Sequence, residues 1–183
     1  VGLPHLYNYE RSILDICSEY GHQRLQADMP KDAKEGLNIG QNNAYYMMFD
    51  WPLSILTGSA GTGKGYVIDR ACIQMEKDGI SLLLAAPTGK AAKRMEQQSS
   101  NPNRTASTIH RLLAYNPFDS SWGYNENCKL TADVVIVDEI SMLDAELAYR
   151  LFSAIDFTKT RLILAGDENQ IPSVGPGNIL HDL

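Results

Sequence analysis

The stretch from Leu53 to Tyr66 constrains the fold more than any other. An apolar run, Leu53, Ile55 and Leu56, stops at Gly58-Ser59-Ala60-Gly61-Thr62-Gly63-Lys64-Gly65-Tyr66. Beyond it Val67, Ile68, Ala71, Cys72 and Met75 recur at helical spacing. Strand, tight loop and helix are predicted in that order. Gly58, Gly63 and Lys64 fit the pattern G-x-x-x-x-G-K, whose glycines let backbone N–H groups turn inward on phosphates while the lysine reaches the outer ones. The helix that follows adds the positive end of its dipole. One position departs from the pattern: after the lysine it wants Ser or Thr, whose hydroxyl binds Mg²⁺, and Gly65 has no side chain to offer. Phosphate binding is therefore expected to survive better than metal-dependent hydrolysis, unless phosphates, water and an acidic pair hold the ion instead.

That acidic pair stands further along. Asp133-Val134-Val135-Ile136-Val137 reads as a buried strand running into Asp138 and Glu139. Adjacent carboxylates at a strand end suit a phosphate loop, one for Mg²⁺ and its water shell and one to orient or deprotonate an attacking water. Two more apolar runs, Ile80–Ala86 and Arg161–Ala165, read as buried strands. Strands alternating with helical segments imply an α/β fold with a doubly wound parallel sheet and right-handed crossovers. Ligands of such sheets bind beyond the carboxyl ends of the strands, so Pro87, Thr88 and Lys90 are placed to meet one. Lys90, Lys93 and Arg94 fit a solvated helix face equally well. Residues 97–104 read as a polar loop, and Thr105–Leu113 as the start of a short helix carrying Thr108 and His110. Asp144 is placed to cap a helix running through Leu151 and Phe152.

Before the phosphate loop, residues 1–26 carry Leu6, Ile13, Leu14 and Cys17 at helical spacing, which predicts a docking helix. Residues 27–36 read as a linker. Asn38 is placed to cap a helix whose Ala44, Met47 and Met48 face inward; Gln41, on residue type alone, would be an ordinary surface glutamine. Two units are thus expected, a helical segment with linker over 1–36 and the α/β lobe over 37–183. Residues 116–130 mix aromatics with turn formers around Gly123, which predicts a β-hairpin. Its Phe118, Trp122 and Tyr124 could stack on bases or hold the hairpin together.

A hydrophobic fraction of 44% over 183 residues is ample for one buried core. No apolar run is long enough to span a membrane, and Cys17, Cys72 and Cys128 lack metal-ligand spacing. A soluble, cytoplasmic protein in a reducing compartment is expected, and the opening without an initiator Met reads as a piece of a longer chain. The net charge of −6 gives no global attraction to nucleic acid, so any such binding must come from local groups.

Taken in order, these blocks resemble the first ATPase lobe of a superfamily 1 DNA helicase of the RecD-like type. The likeness covers roughly residues 37–183. Gln41 matches the adenine-reading glutamine, Thr57–Lys64 motif I, Ala86–Ala92 motif Ia, Ser107–Leu113 the next DNA-contacting block, Asp138–Leu143 motif II, and Gly166–Asn178 motif III. Pif-type helicases share Gly-Ser-Ala-Gly-Thr-Gly-Lys and Asp-Glu-Ile-Ser-Met, but Ala-Pro-Thr-Gly-Lys-Ala-Ala-Lys-Arg and Ile-Pro-Ser-Val-Gly-Pro-Gly-Asn look more RecD-like. The resemblance implies a RecA-like P-loop NTPase fold, ATP and Mg²⁺ as ligands, and single-stranded DNA and duplex junctions as partners in repair or recombination. It further implies that Lys64 binds the β- and γ-phosphates, Asp138 organises Mg²⁺, Glu139 activates water and Gln170 senses the γ-phosphate. Residues 58–66 would enclose the nucleotide, Pro87, Thr88, Lys90, Thr108 and His110 would lie along single-stranded DNA, and 116–130 would be the hairpin that splits the duplex. The second motor lobe with its arginine finger would lie beyond Leu183, so the piece alone should hydrolyse ATP poorly.

A second reading, a nucleotide- or DNA-binding module that has lost hydrolysis, is motivated by Gly65. A third, another phosphate-loop ATPase or kinase, fits Gln41 and the block Gly166–Gly177 less well.

Overall fold

The computed structural model describes residues 4–25 and 36–167. Five strands form one parallel sheet in the order β1-β7-β6-β2-β3: β1 Leu53–Thr57, β2 Leu82–Ala86, β3 Ala106–Thr108, β6 Val134–Val137 and β7 Arg161–Gly166. In register, Leu53 sits beside Leu162, Val134 beside Arg161, Leu82 beside Val134 and Leu84 beside Ala106. Branched and apolar side chains fill the central strands because both sheet faces are covered: all four residues of β6 are buried.

One face is covered by α2 (Ile39–Asp50), α3 (Lys64–Lys77) and α4 (Gly89–Gln98), which bury Met48, Phe49, Val67, Ala71, Cys72, Met75 and Met95 against Leu56, Ile136 and Ile163. The other is covered by α1 (Pro4–Tyr20), the short α5 (Ile109–Leu112) and α6 (Ala145–Ser153). There Ile13, Ile109, Leu151 and Phe152 join Val135, Val137 and Leu162. Helix α1 packs on α6, with Tyr9 stacked on Tyr149 at 4.5 Å and Ile13 only 1% exposed. Leu14, expected on the inner face, is 48% exposed; Ile16 and Tyr20 pack inward instead. Of the expected linker 27–36, only Gly36 lies within the described residues.

The helix starts obey the capping rules. Asn38 and Gln41 form a reciprocal capping box, Thr88 caps α4, and Asp144 accepts from the Leu147 N–H at 2.8 Å. Two expectations need correction. Residues 105–113 do not begin as a helix: Ala106–Thr108 add a fifth parallel strand beside β2, and only Ile109–Leu112 are helical. Their side chains are short and half-buried, without the apolar run that announces a strand; pairing with β2 overrides local preference. The hairpin is shorter than 116–130, pairing β4 (Tyr115–Asn116) with β5 (Ser121–Trp122), and residues beyond Trp122 turn back onto the core through Tyr124.

The three cysteines are free, and burial pushes the Cys72 thiol up to about 12. Among the described residues no helix is long and apolar enough to cross a membrane.

Candidate active site

Apart from Gln41, on the helix that precedes β1, every candidate group within the described residues lies at the carboxyl edge of the sheet or on the loop and helix that follow it. After β1 the chain enters the phosphate loop. Gly61 and Gly63 adopt φ of 82° and 89°, left-handed values open to glycine without strain. A Cβ at Gly63 would also lie 2.6 Å from Gln41 Nε2, so a side chain here would push the Gln41 amide aside. Thr62 closes the turn, its hydroxyl donating to the Ser59 carbonyl at 2.9 Å. The Lys64 ammonium donates to the carbonyls of Gly58 and, at 3.2 Å, Ser59, which holds it over its own loop.

Gln41 is more than a surface glutamine. Its Oε1 accepts from the Asn38 N–H at 3.1 Å, and its Nε2 donates to the Thr62 carbonyl at 3.2 Å. The residue thus ties the first turn of α2 to the crest of the loop. An Asn-x-x-Gln capping box was the signal available in sequence; the bridge to Thr62 had none.

The acidic pair stands two strands away, at the end of β6. Asp138 is largely buried, and burial raises its carboxyl above the ordinary range, although the Glu139 N–H and the charges of Lys64 and Arg94 pull the other way. Asp138 Oδ1 accepts from the Glu139 N–H at 2.8 Å, and Glu139 takes a left-handed backbone at φ 59°. Such a conformation costs a non-glycine residue about 1–2 kcal/mol and marks a place where the fold imposes geometry. The 3₁₀ turn Ile140–Met142 follows at once. Glu139 Oε1 accepts from Arg94 on α4 at 3.1 Å. Sequence reasoning placed Arg94 only on a solvated face, because nothing local links residues 45 positions apart.

One cleft brings together Gly61, Gly63, Lys64, Gly65, Tyr66, Asp138 and Glu139, joined by Asp69, Arg94, Gln98 and Ser100. Asp69, Gln98 and Ser100 were not foreseen. Asp69 accepts from the Ser100 N–H at 3.0 Å and from its hydroxyl at 2.5 Å, and pairs with the buried Arg104 at 2.5 Å. Arg104 also grips both oxygens of Glu76, at 2.8 and 2.9 Å. The loop between α4 and β3 is therefore bolted to α3.

Among the described residues no cluster of three or more His, Cys, Asp or Glu could hold a metal by itself. Mg²⁺ tolerates that poverty, since it keeps several waters and takes substrate phosphates with one or two carboxylates. A single buried carboxylate with a raised affinity for protons, facing a phosphate loop, fits such an ion.

The residues expected along DNA lie on the same edge. Thr88, two residues after β2, and Thr108, the last residue of β3, are helix caps that accept from the N–H groups of Ala91 and Arg111, both at 3.2 Å. Lys90 and His110 are exposed just after them, and Pro87 is half-buried. The His110 ring lies 5.5 Å from both Tyr115 and Trp122, and Arg150 sits 5.7 Å over Trp122, so Trp122 serves to hold the hairpin on the body. Phe118, between the two strands, is 98% exposed. Gln170 and most of the block 166–178 lie outside the described residues.

The sequence family described as AAA domain matches residues 41–176. The chain belongs to the AAA domain family. This AAA domain is 34% identical to the RecBCD enzyme subunit RecD of Haemophilus influenzae, over 88% of the chain and 28% of that protein. It is 37% identical to the ATP-dependent RecD2 DNA helicase of Deinococcus radiodurans, over 96% of the chain and 25% of that protein. The AAA domain thus spans about a quarter of the length of these curated relatives. Among solved structures it is similar to the Pif1 helicase of Candida albicans, at a TM-score of 0.53 and 22% identity over 75% of this chain and 34% of that one. That likeness shows the fold: a RecA-like P-loop NTPase with a parallel sheet flanked by helices.

Proposed function

We propose that this chain is the ATP-binding first motor lobe of a RecD-like DNA helicase, with a helical segment and linker over 1–36 followed by the lobe over 37–183. The observation that supports this reading best is the shared cleft, where the phosphate loop after β1 and the acidic pair after β6 face one another on the sheet edge that also carries the turns after β2 and β3.

In this reading the N–H groups of residues 59–65 and the Lys64 ammonium bind the β- and γ-phosphates of ATP, and Gln41 borders the adenine. Asp138, with water, would hold Mg²⁺, and the ion would supply charge neutralisation at the phosphates. Glu139 orients a water and accepts its proton as the water oxygen bonds to the γ-phosphorus and the bond to the bridging oxygen of ADP breaks. Gln170 senses the γ-phosphate. Pro87, Thr88, Lys90, Thr108 and His110 line single-stranded DNA, with the hairpin tip at the duplex junction. Stepping along DNA requires a second motor lobe closing on the cleft.

Titration with a fluorescent ATP analogue tests the core of this reading: tight binding to the wild type that Lys64→Ala abolishes supports it, and equal binding by both refutes it. Gly65 favours a second reading, a lobe that binds nucleotide without turnover. Stimulation of hydrolysis by single-stranded DNA, lost in Glu139→Gln, would exclude that alternative.

A further inference from the structure

Gly65 removes the hydroxyl expected beside the phosphate loop, yet the space it leaves is not open. A Cβ built on Gly65 would lie 2.9 Å from Oε1 of Gln98, the last residue of α4. Contact so close would force one of the two groups to shift. The amide oxygen of Gln98 therefore stands within contact distance of the place where a side chain at position 65 would begin. Gly65, Gln98 and Asp138 also line the same cleft together with Lys64. The Gln98 side chain is exposed to that cleft, and no described residue is recorded as its hydrogen-bond partner. An unengaged carbonyl oxygen is a hard, neutral donor of the kind Mg²⁺ accepts, directly or through one of its waters.

We propose that Gln98 and Gly65 form a compensating pair, in which the Gln98 amide oxygen takes over the metal-positioning role of the absent hydroxyl. The inference rests on the nucleotide-site reading above. It assigns the chain a divalent-ion site built from Asp138 on the sheet edge and Gln98 on the neighbouring helix, with no side chain from the phosphate-loop helix. Gly65 then leaves the room that the glutamine occupies, because a side chain there would displace it.

The neighbouring groups suit this role. Lys64 is engaged by loop carbonyls, Glu139 by Arg94, and Asp69 by Ser100 and Arg104, so none of them competes for the Gln98 amide. As Gln98 is the far end of a flexible chain on the surface, it can swing away if a hydroxyl is restored, which makes the two devices exchangeable.

The test is a double-mutant cycle read by binding. The affinity for fluorescent ADP is measured in Mg²⁺ and in chelator for the wild type, Gln98→Ala, Gly65→Ser and the double variant, with Lys64→Ala as control and a thermal melt on each. Loss of a group that orients a metal or its ligands costs about 10- to 100-fold in metal affinity. Gln98→Ala should therefore cut the Mg²⁺ enhancement about tenfold, leave affinity in chelator within about twofold, and leave the melt unchanged. In the Gly65→Ser background the same Gln98→Ala change should cost almost nothing, since the hydroxyl supplies the donor; that non-additivity is the signature of exchange between two groups. Gln98→Glu, which keeps the oxygen, should retain the enhancement. Equal enhancement in wild type and Gln98→Ala would overturn the proposal, as would an equal loss in both backgrounds. Wild-type binding that depends on Lys64 but ignores Mg²⁺ would overturn it while leaving the nucleotide site intact. Binding indifferent to Lys64 would overturn both.

Discussion

Replacing Arg104 by alanine should destabilise the lobe by about 2–3 kcal/mol, and the structure supplies each step of that figure. The Arg104 side chain is 5% exposed, and its guanidinium serves two carboxylates and the Ser99 hydroxyl. Removing one partner of a buried ion pair costs about 3–5 kcal/mol, because the other charge is left unpaired in a poor solvent. Two features lower this. Asp69 keeps the Ser100 N–H and hydroxyl, and the Glu76 side chain is 31% exposed, so water can take over part of what the guanidinium did. In a domain of this size each kcal/mol moves the melting temperature by about 2–4 °C, so a fall of about 5–10 °C is expected by differential scanning calorimetry. The variant should keep its far-ultraviolet circular dichroism below the transition. Adding Asp69→Asn to Arg104→Ala should cost less than the two single losses combined, because the stranded charge is gone. A loss below about 1 kcal/mol, or strict additivity of the two changes, would refute the claim that this network bolts the α4–β3 loop to α3.

Other outcomes follow from the same coordinates. Burial works to raise Asp69, but hydrogen bonds from Ser100 and Arg104 hold it low; Arg104 holds Glu76 low too. The stability they contribute is complete above the ordinary carboxylate range and lost as pH falls through the depressed values, so Arg104→Ala should flatten the acid limb of a stability–pH curve. Gly63→Ala combines a left-handed backbone with a Cβ 2.6 Å from Gln41 Nε2; it should cost at least about 1–2 kcal/mol in melting experiments and weaken nucleotide binding. An unchanged melt would contradict that geometry. Arg94→Ala frees Glu139 from an exposed partner worth up to about 1 kcal/mol, so hydrolysis without DNA should rise by no more than about fivefold, and a sharp fall would show that Arg94 itself assists the chemistry.

Where the chain announces itself, it does so through local rules. The phosphate loop, the caps at Asn38 and Asp144 and the buried runs before Thr57, Pro87, Asp138 and Asp167 all depend on neighbours within a few residues, and all were legible. What escaped depends on long-range contact. Ala106–Thr108 become a strand only because β2 offers an edge. Gln41 reaches Thr62 across 21 positions, Arg94 reaches Glu139 across 45, and Arg104 reaches Asp69 across 35. No residue type or spacing advertises such pairs. The two readings of the hairpin aromatics were likewise separable only in three dimensions, where Trp122 turns out to be an anchor and Phe118 a bare tip.

The strand order has a further consequence, which is one of wiring length. From β1 to β2 the path crosses β7 and β6, three steps of about 4.8 Å, so the phosphate loop and the Thr88 turn are about 14 Å apart along the edge. From β6 to β2 the path is one step, and Arg94 already spans it to Glu139. An occupant at the Thr88 turn would therefore stand one hydrogen-bonded strand gap from the acidic pair but three from the phosphate loop along the sheet, and α4 is the shorter road to that loop, since Gln98 at its far end lies beside Gly65.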